Sequence, residues 1–156
     1  MAGDAQTGVS IMRLVAELDA GPVCLSESIP IRPQDTYGSL ALQLQRLGAA
    51  LITRALEESP PWVDQPDEGV TYAERITAED RTLDPGAPPD LNERVVRALH
   101  PHIGARVQLD DGTWLGVLRA RVGDGPLTWH GLELLEVQPP GGKPMDATAY
   151  LRGHHG

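Results

Sequence analysis

The sequence predicts an α+β protein in two structured halves, joined by an acidic segment rich in proline. Alternating apolar residues, one long amphipathic stretch and several Asp-Gly turns indicate this class. Of the 156 residues, 40% are hydrophobic and 22% are charged, which is typical of a globular protein. Because Gly (17) and Pro (14) are frequent, we expect short and often interrupted elements.

The first half, residues 1–58, has the pattern of two short strands and one helix. Apolar residues alternate around Val9 and again from Val23 to Ile31, with a turn ending in Gly-Pro between the two strands. A helix is predicted from an N-cap at Asp35 to a stop at Pro60. Its apolar stripe consists of Leu40, Leu44, Leu47, Leu51 and Ala55. Because so few elements cannot close a core, we interpret this half as the remnant of a larger domain.

The apolar stripe of this helix needs a partner. Burial of a leucine side chain is worth roughly 1.5 to 3 kcal/mol, so exposure of four such residues to water is unfavourable. We therefore expect the stripe to pack on the C-terminal half of the chain or to drive self-association.

Residues 59–70 are predicted to be a linker, because prolines and acidic residues dominate them. The net charge of −9 is uneven along the chain. Residues 1–58 carry 4 basic and 7 acidic side chains, residues 59–90 carry 2 and 8, and residues 91–156 carry 7 of each. The acidity that opposes contact with phosphate is therefore concentrated in the middle of the chain, and the second half is not excluded from binding nucleic acid.

The second half, residues 71–153, is predicted to be a helix followed by strands. Asp90 and Glu93 have the spacing of a capping box, and Pro101 ends the helix. Strands are expected at residues 105–109, 113–122 and 132–138, separated by Asp-Gly turns. Several short strands joined in this way are typical of a small barrel.

Several classes of site and location are not expected. No apolar run approaches the roughly 20 residues of a membrane helix, and no signal peptide opens the chain. The single cysteine, Cys24, permits no internal disulfide, which fits a reducing cytoplasm. The pairs His100/His102 and His154/His155 lack the spacing of a zinc site, so no metal is predicted.

Four segments resemble the methionyl-tRNA formyltransferase family, in the family's order. They are residues 3–22 with the Leu-Asp-Ala-Gly-Pro turn, residues 71–80, the helix end at residues 94–101, and residues 134–145 with Gln-Pro-Pro-Gly-Gly-Lys-Pro-Met. The resemblance implies the end of a Rossmann-like catalytic domain at residues 1–58, a linker at 59–70 and an OB-like tRNA-binding domain at 71–153. Because relatives have further strands between Val122 and Leu132, it stays open whether the barrel is complete.

The resemblance also implies site residues. Asp19 matches the catalytic Asp, which orients a His beside the folate, and Thr7 and Gly8 match a wall near the folate. Residue type alone explains these positions equally well, because Asp is common in turns and Thr-Gly is an ordinary start of a strand.

Basic residues of the second half are candidates for contact with tRNA. They are Arg94, Arg97, Arg106, Arg119, Arg121 and Lys143. Scattered, solvated charge is the alternative interpretation of this set. Trp62, Trp114 and Trp129 could stack on nucleotides, but we expect them to pack in a core or an interface, above all Trp114, which lies in a strand.

Two departures from the family limit the expected activity. The chain has neither the family's His-Gly-Ser-Leu-Leu-Pro loop nor its upstream Asn, and Met1 falls where relatives have an internal Met. We therefore expect a truncated reading frame whose product is nearly inert alone, because a carboxylate cannot stabilise an oxyanion.

The resemblance implies transfer of a formyl group from 10-formyltetrahydrofolate to the amino group of initiator methionyl-tRNA. The expected partners are this tRNA and either a second copy of the chain or a missing N-terminal half, and no membrane is expected. The alternatives are a non-catalytic OB-like tRNA-binding module and a related folate-dependent formyltransferase or hydrolase. The run at residues 134–145 argues against the last of these, because it resembles the tRNA-specific domain.

Overall fold

The computed structural model describes residues 1–154, so His155, one of the histidines considered above, lies outside the described residues. The chain divides into two compact units. We name them the ribbon unit, which comprises Asp4–Pro33 and Ser39–Glu74, and the sheet unit, which comprises Met1–Gly3, Gln34–Gly38 and Arg75–Gly156.

The ribbon unit contains the two predicted strands and most of the predicted helix. Strand β1 (Gln6–Met12) pairs antiparallel with β2 (Val23–Pro30), and helix α1 (Tyr37–Glu58) contributes its residues from Ser39 onward. Helix α1 ends before Ser59, whose φ of 48° is not helical, and the following Pro60-Pro61 cannot continue the helix. These elements and their approximate bounds agree with the prediction.

The stripe of α1 is only partly covered. Leu51 is buried, whereas Leu40, Leu44 and Leu47 are half-buried. Among the described apolar residues of the ribbon unit, Leu51 alone is buried, so this unit has no core of its own. Three further apolar residues of α1 lie exposed, namely Leu42, Ile52 and Leu56, which the stripe did not include.

The segment predicted as a linker, residues 59–70, is partly held in place by pairing with strand β2. Val63 donates a hydrogen bond from its amide to the Val23 carbonyl at 2.9 Å and accepts one from the Val23 amide at 2.8 Å. This segment belongs to the ribbon unit, which extends to Glu74.

The sheet unit combines two helices with one antiparallel sheet. Its elements are α2 (Pro89–Leu99), β3 (Ala105–Gln108), β4 (Trp114–Val122), β5 (Thr128–Trp129), β6 (Leu132–Gln138), β7 (Met145–Asp146) and α3 (Ala147–His154). The strand order is β3-β4-β6-β5, and β7 also pairs with β6. One face of the sheet packs on α2 around the fully buried Val107, Leu115 and Leu132.

The predicted α+β class is confirmed, but the OB-like barrel is not. Within the described residues, no pairing joins β3 to β5 or β7, so the sheet is open. Strands β5 and β7, which both pair with β6 on the side away from β4, have only two residues each, and prolines at positions 139, 140 and 144 lack the N–H group that would extend a ladder there. Sequence patterns missed β5 and β7, because two-residue strands have no measurable period. They also missed α3, a helix of eight residues.

The predicted capping box of α2 is wrong. Pro88 occupies the N-cap position without a side-chain hydrogen bond, and Pro89 begins the helix, where its missing N–H costs nothing. Asp90 and Glu93 instead form ion pairs one turn later, with Arg94 and Arg97 respectively.

A side-chain cap begins α3. The Asp146 carboxylate accepts hydrogen bonds from the Thr148 amide at 2.9 Å and from the Thr148 hydroxyl at 2.7 Å. These bonds hold the pKa of Asp146 below its ordinary value, because they favour the charged carboxylate.

We predict that Leu134→Ala lowers the free energy of unfolding of the sheet unit by about 2 to 5 kcal/mol, because Leu134 is 1% exposed in the core. The matched control is Leu91→Ala, because Leu91 on α2 is 39% exposed. This substitution should lower the free energy of unfolding by well under half as much. Urea unfolding followed by circular dichroism measures both, and equal losses would contradict this position of the core.

Candidate functional site

Asp19 lies in the turn between β1 and β2, and its side chain is exposed. Its φ of 56° is left-handed, a conformation that Asp tolerates better than most residues. Gly21 is buried two residues later, and a Cβ at that position would lie 1.7 Å from the Arg13 carbonyl oxygen. Only glycine therefore fits at position 21, and the backbone that carries Asp19 has a defined path.

Gln65 holds this turn from the segment that was predicted to be a linker. Its side-chain amide donates hydrogen bonds to the Asp19 carbonyl at 2.9 Å and to the Gly21 carbonyl at 2.7 Å. The Arg13 amide adds a bond to the Pro22 carbonyl at 2.9 Å, which closes the base of the turn. Gln65 thus positions the backbone on both sides of Ala20.

A cation–π contact links the same two segments. The Arg13 guanidinium lies 4.7 Å from the centre of the Trp62 ring. Together with the pairing of Val63 and Val23, this contact fixes residues 62–65 next to the Asp19 turn and the start of β2. Sequence analysis missed this role. The signal that could have revealed it is the apolar Trp62-Val63 pair within an otherwise acidic and proline-rich stretch.

An open cavity of about 410 Å³ adjoins the turn. Its walls are the start of β2, Ser10 on β1 and residues 63–66. Gln65, which also binds the Asp19 turn, lines it, and the hydroxyls of Ser10 and Ser26 lie 2.9 Å apart there. The volume is within the range of small-molecule sites.

Thr7 and Gly8 lie on β1, away from the Asp19 turn. Thr7 pairs with Ile29 and Gly8 with Ser28, whereas the end of β1 next to the turn is Met12, which pairs with Val23. The five steps from Thr7 to Met12 span about 17 Å at the usual rise of a strand. The fold therefore does not bring Thr7 together with the Asp19 turn, and their predicted contact with folate stays a prediction.

Four of the six candidate tRNA-binding residues are ion-paired within the chain. Arg94 pairs with Asp90 at 3.3 Å, Arg97 with Glu93 at 2.7 Å, and Arg119 with Glu136 at 4.0 Å, and Arg121 pairs with Glu133. Arg97 also donates to the Asp35 carbonyl at 2.8 Å. These contacts favour the interpretation of scattered charge for these four residues.

The other two candidates differ from this group. Arg106 stacks on Trp114, with its guanidinium carbon 4.4 Å from the ring centre, and Lys143 is exposed in the loop before β7. Within the described part of the chain, neither forms an ion pair with a carboxylate. The six residues therefore fall into an ion-paired group of four and two others, and their contact with tRNA stays a prediction.

Neither a metal site nor a membrane span is found in the part of the chain that the structure describes. Among the described side chains, no three of His, Cys, Asp or Glu are grouped as metal ligands. No helix of the described chain has the length and apolar character to span a membrane.

The comparisons with known proteins agree with this geometry. The family described as formyl transferase matches residues 1–56, which include the Asp19 turn. Over these residues the chain is therefore similar to the formyltransferase family. Over 98% of its length it is similar to methionyl-tRNA formyltransferases, with 39% identity to that of Halorhodospira halophila and 41% to that of Methylobacterium sp.. The chain spans 56% of each of these relatives, about half of their length.

Solved structures show the same fold. The methionyl-tRNA formyltransferase of Clostridium thermocellum has a TM-score of 0.67 at 14% identity, over 93% of this chain and 59% of that one. HypX from Aquifex aeolicus in complex with tetrahydrofolic acid has a TM-score of 0.70 at 17% identity, over 96% of this chain and 30% of that one. The resemblance on which the sequence analysis relied is confirmed.

We predict that Gln65→Ala loosens the Asp19 turn. Loss of two hydrogen bonds should speed hydrogen exchange at the Arg13 and Val23 amides by about tenfold, because each such bond contributes roughly 0.5 to 1.5 kcal/mol. The control is Gln45→Ala, on the exposed side of α1. Unchanged exchange at both amides in Gln65→Ala would show that the turn does not depend on Gln65.

Proposed function

We propose that this chain takes part in formyl transfer from 10-formyltetrahydrofolate to the amino group of initiator methionyl-tRNA, in the cytoplasm. The observation that carries the proposal is the 39% identity to a methionyl-tRNA formyltransferase over 98% of the chain. In this proposal, residues 1–58 are part of the catalytic domain, residues 59–70 are the linker and residues 71–153 bind tRNA.

The reaction requires two contributions from the protein, namely stabilisation of an oxyanion and transfer of protons. The α-amino nitrogen attacks the formyl carbon, and the carbonyl oxygen becomes an oxyanion. The new C–N bond is retained when the bond to N10 of the folate breaks. The nitrogen that attacked is then an ammonium and loses one proton, and the leaving nitrogen gains one. In this reaction Asp19 can orient a neighbouring group or accept a proton, because its carboxylate lies exposed on a fixed turn.

Oxyanion stabilisation must come from other groups. A carboxylate repels a developing negative charge, and loss of one oxyanion donor typically costs about 10² to 10³ in rate. The resemblance assigns this task to an Asn and to the His of a loop, and the sequence contains no counterpart of that loop. The proposed activity therefore depends on a polypeptide segment that supplies these donors.

The exposed face of α1 fits such an arrangement. Leu42, Ile52 and Leu56 are 58%, 44% and 75% exposed, which is unfavourable for a helix in water. We propose that the remaining part of a formyltransferase domain covers this face. A second copy of the chain is the alternative occupant, and it would cover the face without supplying the oxyanion donors, because it has no counterpart of that loop either.

A second candidate is a tRNA-binding module without catalysis. One observation favours it, namely that the sheet unit has a complete core whereas the ribbon unit buries one large apolar side chain. Binding of tRNA at low salt without any binding of folate would support this candidate.

We expect the purified chain to show no formylation of methionyl-tRNA above background with 10-formyltetrahydrofolate, because it lacks the oxyanion donors. Clear turnover by the chain alone would contradict the requirement for a second segment. A complementary N-terminal fragment of a related formyltransferase should restore activity.

In that complemented enzyme, Asp19→Asn should lower the rate by about 10² to 10⁴, the usual contribution of a proton-transferring group, while the two fragments still associate. Asp124→Asn, in an exposed turn of the sheet unit, is the matched control and should keep full activity. Equal rates for the two variants would remove Asp19 from the mechanism.

A further inference from the structure

The face of the sheet opposite α2 carries a compact group of polar and aromatic residues. Arg106 on β3 is in register with Gly116 on β4, and Gly116 is in register with Gln138 on β6. Gln108 and Trp114 form the neighbouring pair of β3 and β4. Residues in register share a face, and side chains alternate along a strand, so all five lie on one face. We name this group the Trp114 face.

Trp114 is 39% exposed, so of the two expected roles it does not pack in the core, and packing in an interface stays a prediction. The Arg106 guanidinium, stacked at 4.4 Å from the ring centre, is held by a bond from its Nε to the Thr82 hydroxyl at 3.0 Å. A further bond at 3.4 Å runs from an outer nitrogen to the Ala78 carbonyl. The guanidinium, held over the indole by these bonds, therefore places a positive charge on an exposed aromatic surface.

The surroundings of this pair are flat and rich in amides. Gly116 has no side chain, and a Cβ there would lie 3.3 Å from Gln138 Cβ. The Gln108 amide donates to the Gly112 carbonyl at 3.1 Å, and the Gln138 amide donates to the Gly142 carbonyl at 2.9 Å. Each bond uses one of the four hydrogen-bonding positions of a terminal amide, namely one of its two N–H donors, so a second donor and the carbonyl oxygen are available for a ligand.

Basic residues of the sheet unit differ in their freedom to contact a phosphate. Arg94, Arg97, Arg119 and Arg121 are paired with carboxylates. In the described chain, Arg106 has hydroxyl and carbonyl partners instead of a carboxylate, and its guanidinium lies over Trp114. Lys143 follows Gly142, the residue that Gln138 binds, so a second cation lies in the loop at the edge of the face.

We propose that the Trp114 face binds unpaired bases of RNA, and that it is the surface that contacts a single-stranded part of the tRNA. This inference rests on the proposed function, which supplies tRNA as the partner. A nucleobase is planar and stacks on an aromatic ring or on a guanidinium, and glutamine amides match the hydrogen-bonding edges of bases. Arg106 and Lys143 attract the phosphates that accompany those bases.

The charge balance makes unpaired RNA a better ligand than a duplex. Residues 91–156 carry equal numbers of basic and acidic side chains, so binding through phosphates alone has little support there. Stacking needs no excess of positive charge, but it requires bases whose flat surfaces are accessible. The bases of a duplex interior are stacked on one another and cannot reach Trp114.

The test measures binding of the full chain to labelled tRNA and to a single-stranded RNA of about 12 nucleotides, at low salt. Trp114→Ala should weaken binding to both by about 5- to 150-fold, the usual range for loss of one stacked base, and Trp114→Phe should restore most of the affinity. Arg106→Gln should reduce the slope of log affinity against log salt for the single strand by about 0.7.

Trp62→Ala is the matched control. Trp62 is 40% exposed and also lies under an arginine, Arg13, at 4.7 Å, but it belongs to the ribbon unit. It should leave the affinity for RNA unchanged. The affinity for a duplex of the same sequence should be the same for Trp114→Ala as for the unsubstituted chain.

The outcomes separate this inference from the proposed function. Binding of tRNA that Trp114→Ala and Trp62→Ala affect equally would overturn the Trp114 face and leave the proposed partner in place. If Trp114→Phe binds as weakly as Trp114→Ala although both unfold at the same urea concentration as the unsubstituted chain, stacking is excluded. If the unsubstituted chain binds neither tRNA nor the single strand, both proposals fail.

Discussion

Packing of one sheet face against α2 determines what the other face presents to solvent. Val107, Leu115 and Val117 are at most 1% exposed, and their burial fixes the register of β3 and β4. Because side chains alternate along a strand, the neighbouring positions must point away from the core. Trp114 and Arg106 are thus displayed as a consequence of apolar burial, and a shift of one residue in either strand would hide them and expose the core.

Intramolecular ion pairs explain why counting basic residues does not locate an interface. The spacing of Asp90 from Arg94 and of Glu93 from Arg97 is one helical turn, so each arginine of α2 meets a carboxylate on its own helix. Glu133 is 7% exposed and is paired with Arg121, whose charge offsets the cost of that burial. An arginine without a carboxylate partner, such as Arg106, is more informative about binding than the net charge of its domain.

Strands and helices long enough to repeat their spacing of apolar residues several times could be predicted from the sequence, whereas shorter elements could not. The main strands and the helices α1 and α2 appear close to their predicted positions, because each contains at least two repeats of its pattern. The two-residue strands β5 and β7 contain one repeat or less, and a barrel was predicted where the sheet is open. Gln65 was missed because its bonds to the Asp19 turn join residues 44 and 46 positions apart, a relation that no local pattern contains.

Rigidity of the Asp19 turn and stability of the ribbon unit have different origins. Backbone hydrogen bonds, the contacts of Gln65 and the steric requirement for Gly21 hold the turn, and none of these requires a core. The unit itself buries only Leu51 among its described apolar residues, and Leu42, Ile52 and Leu56 leave one side of α1 open. Complete burial of such a side chain from water contributes roughly 1.5 to 3 kcal/mol, and each of these three, which are 44% to 75% exposed, would gain a part of that on being covered. In the proposed reaction, the segment that brings the oxyanion donors to Asp19 would therefore also supply the burial that the ribbon unit lacks, so that stability and activity would be gained in the same contact.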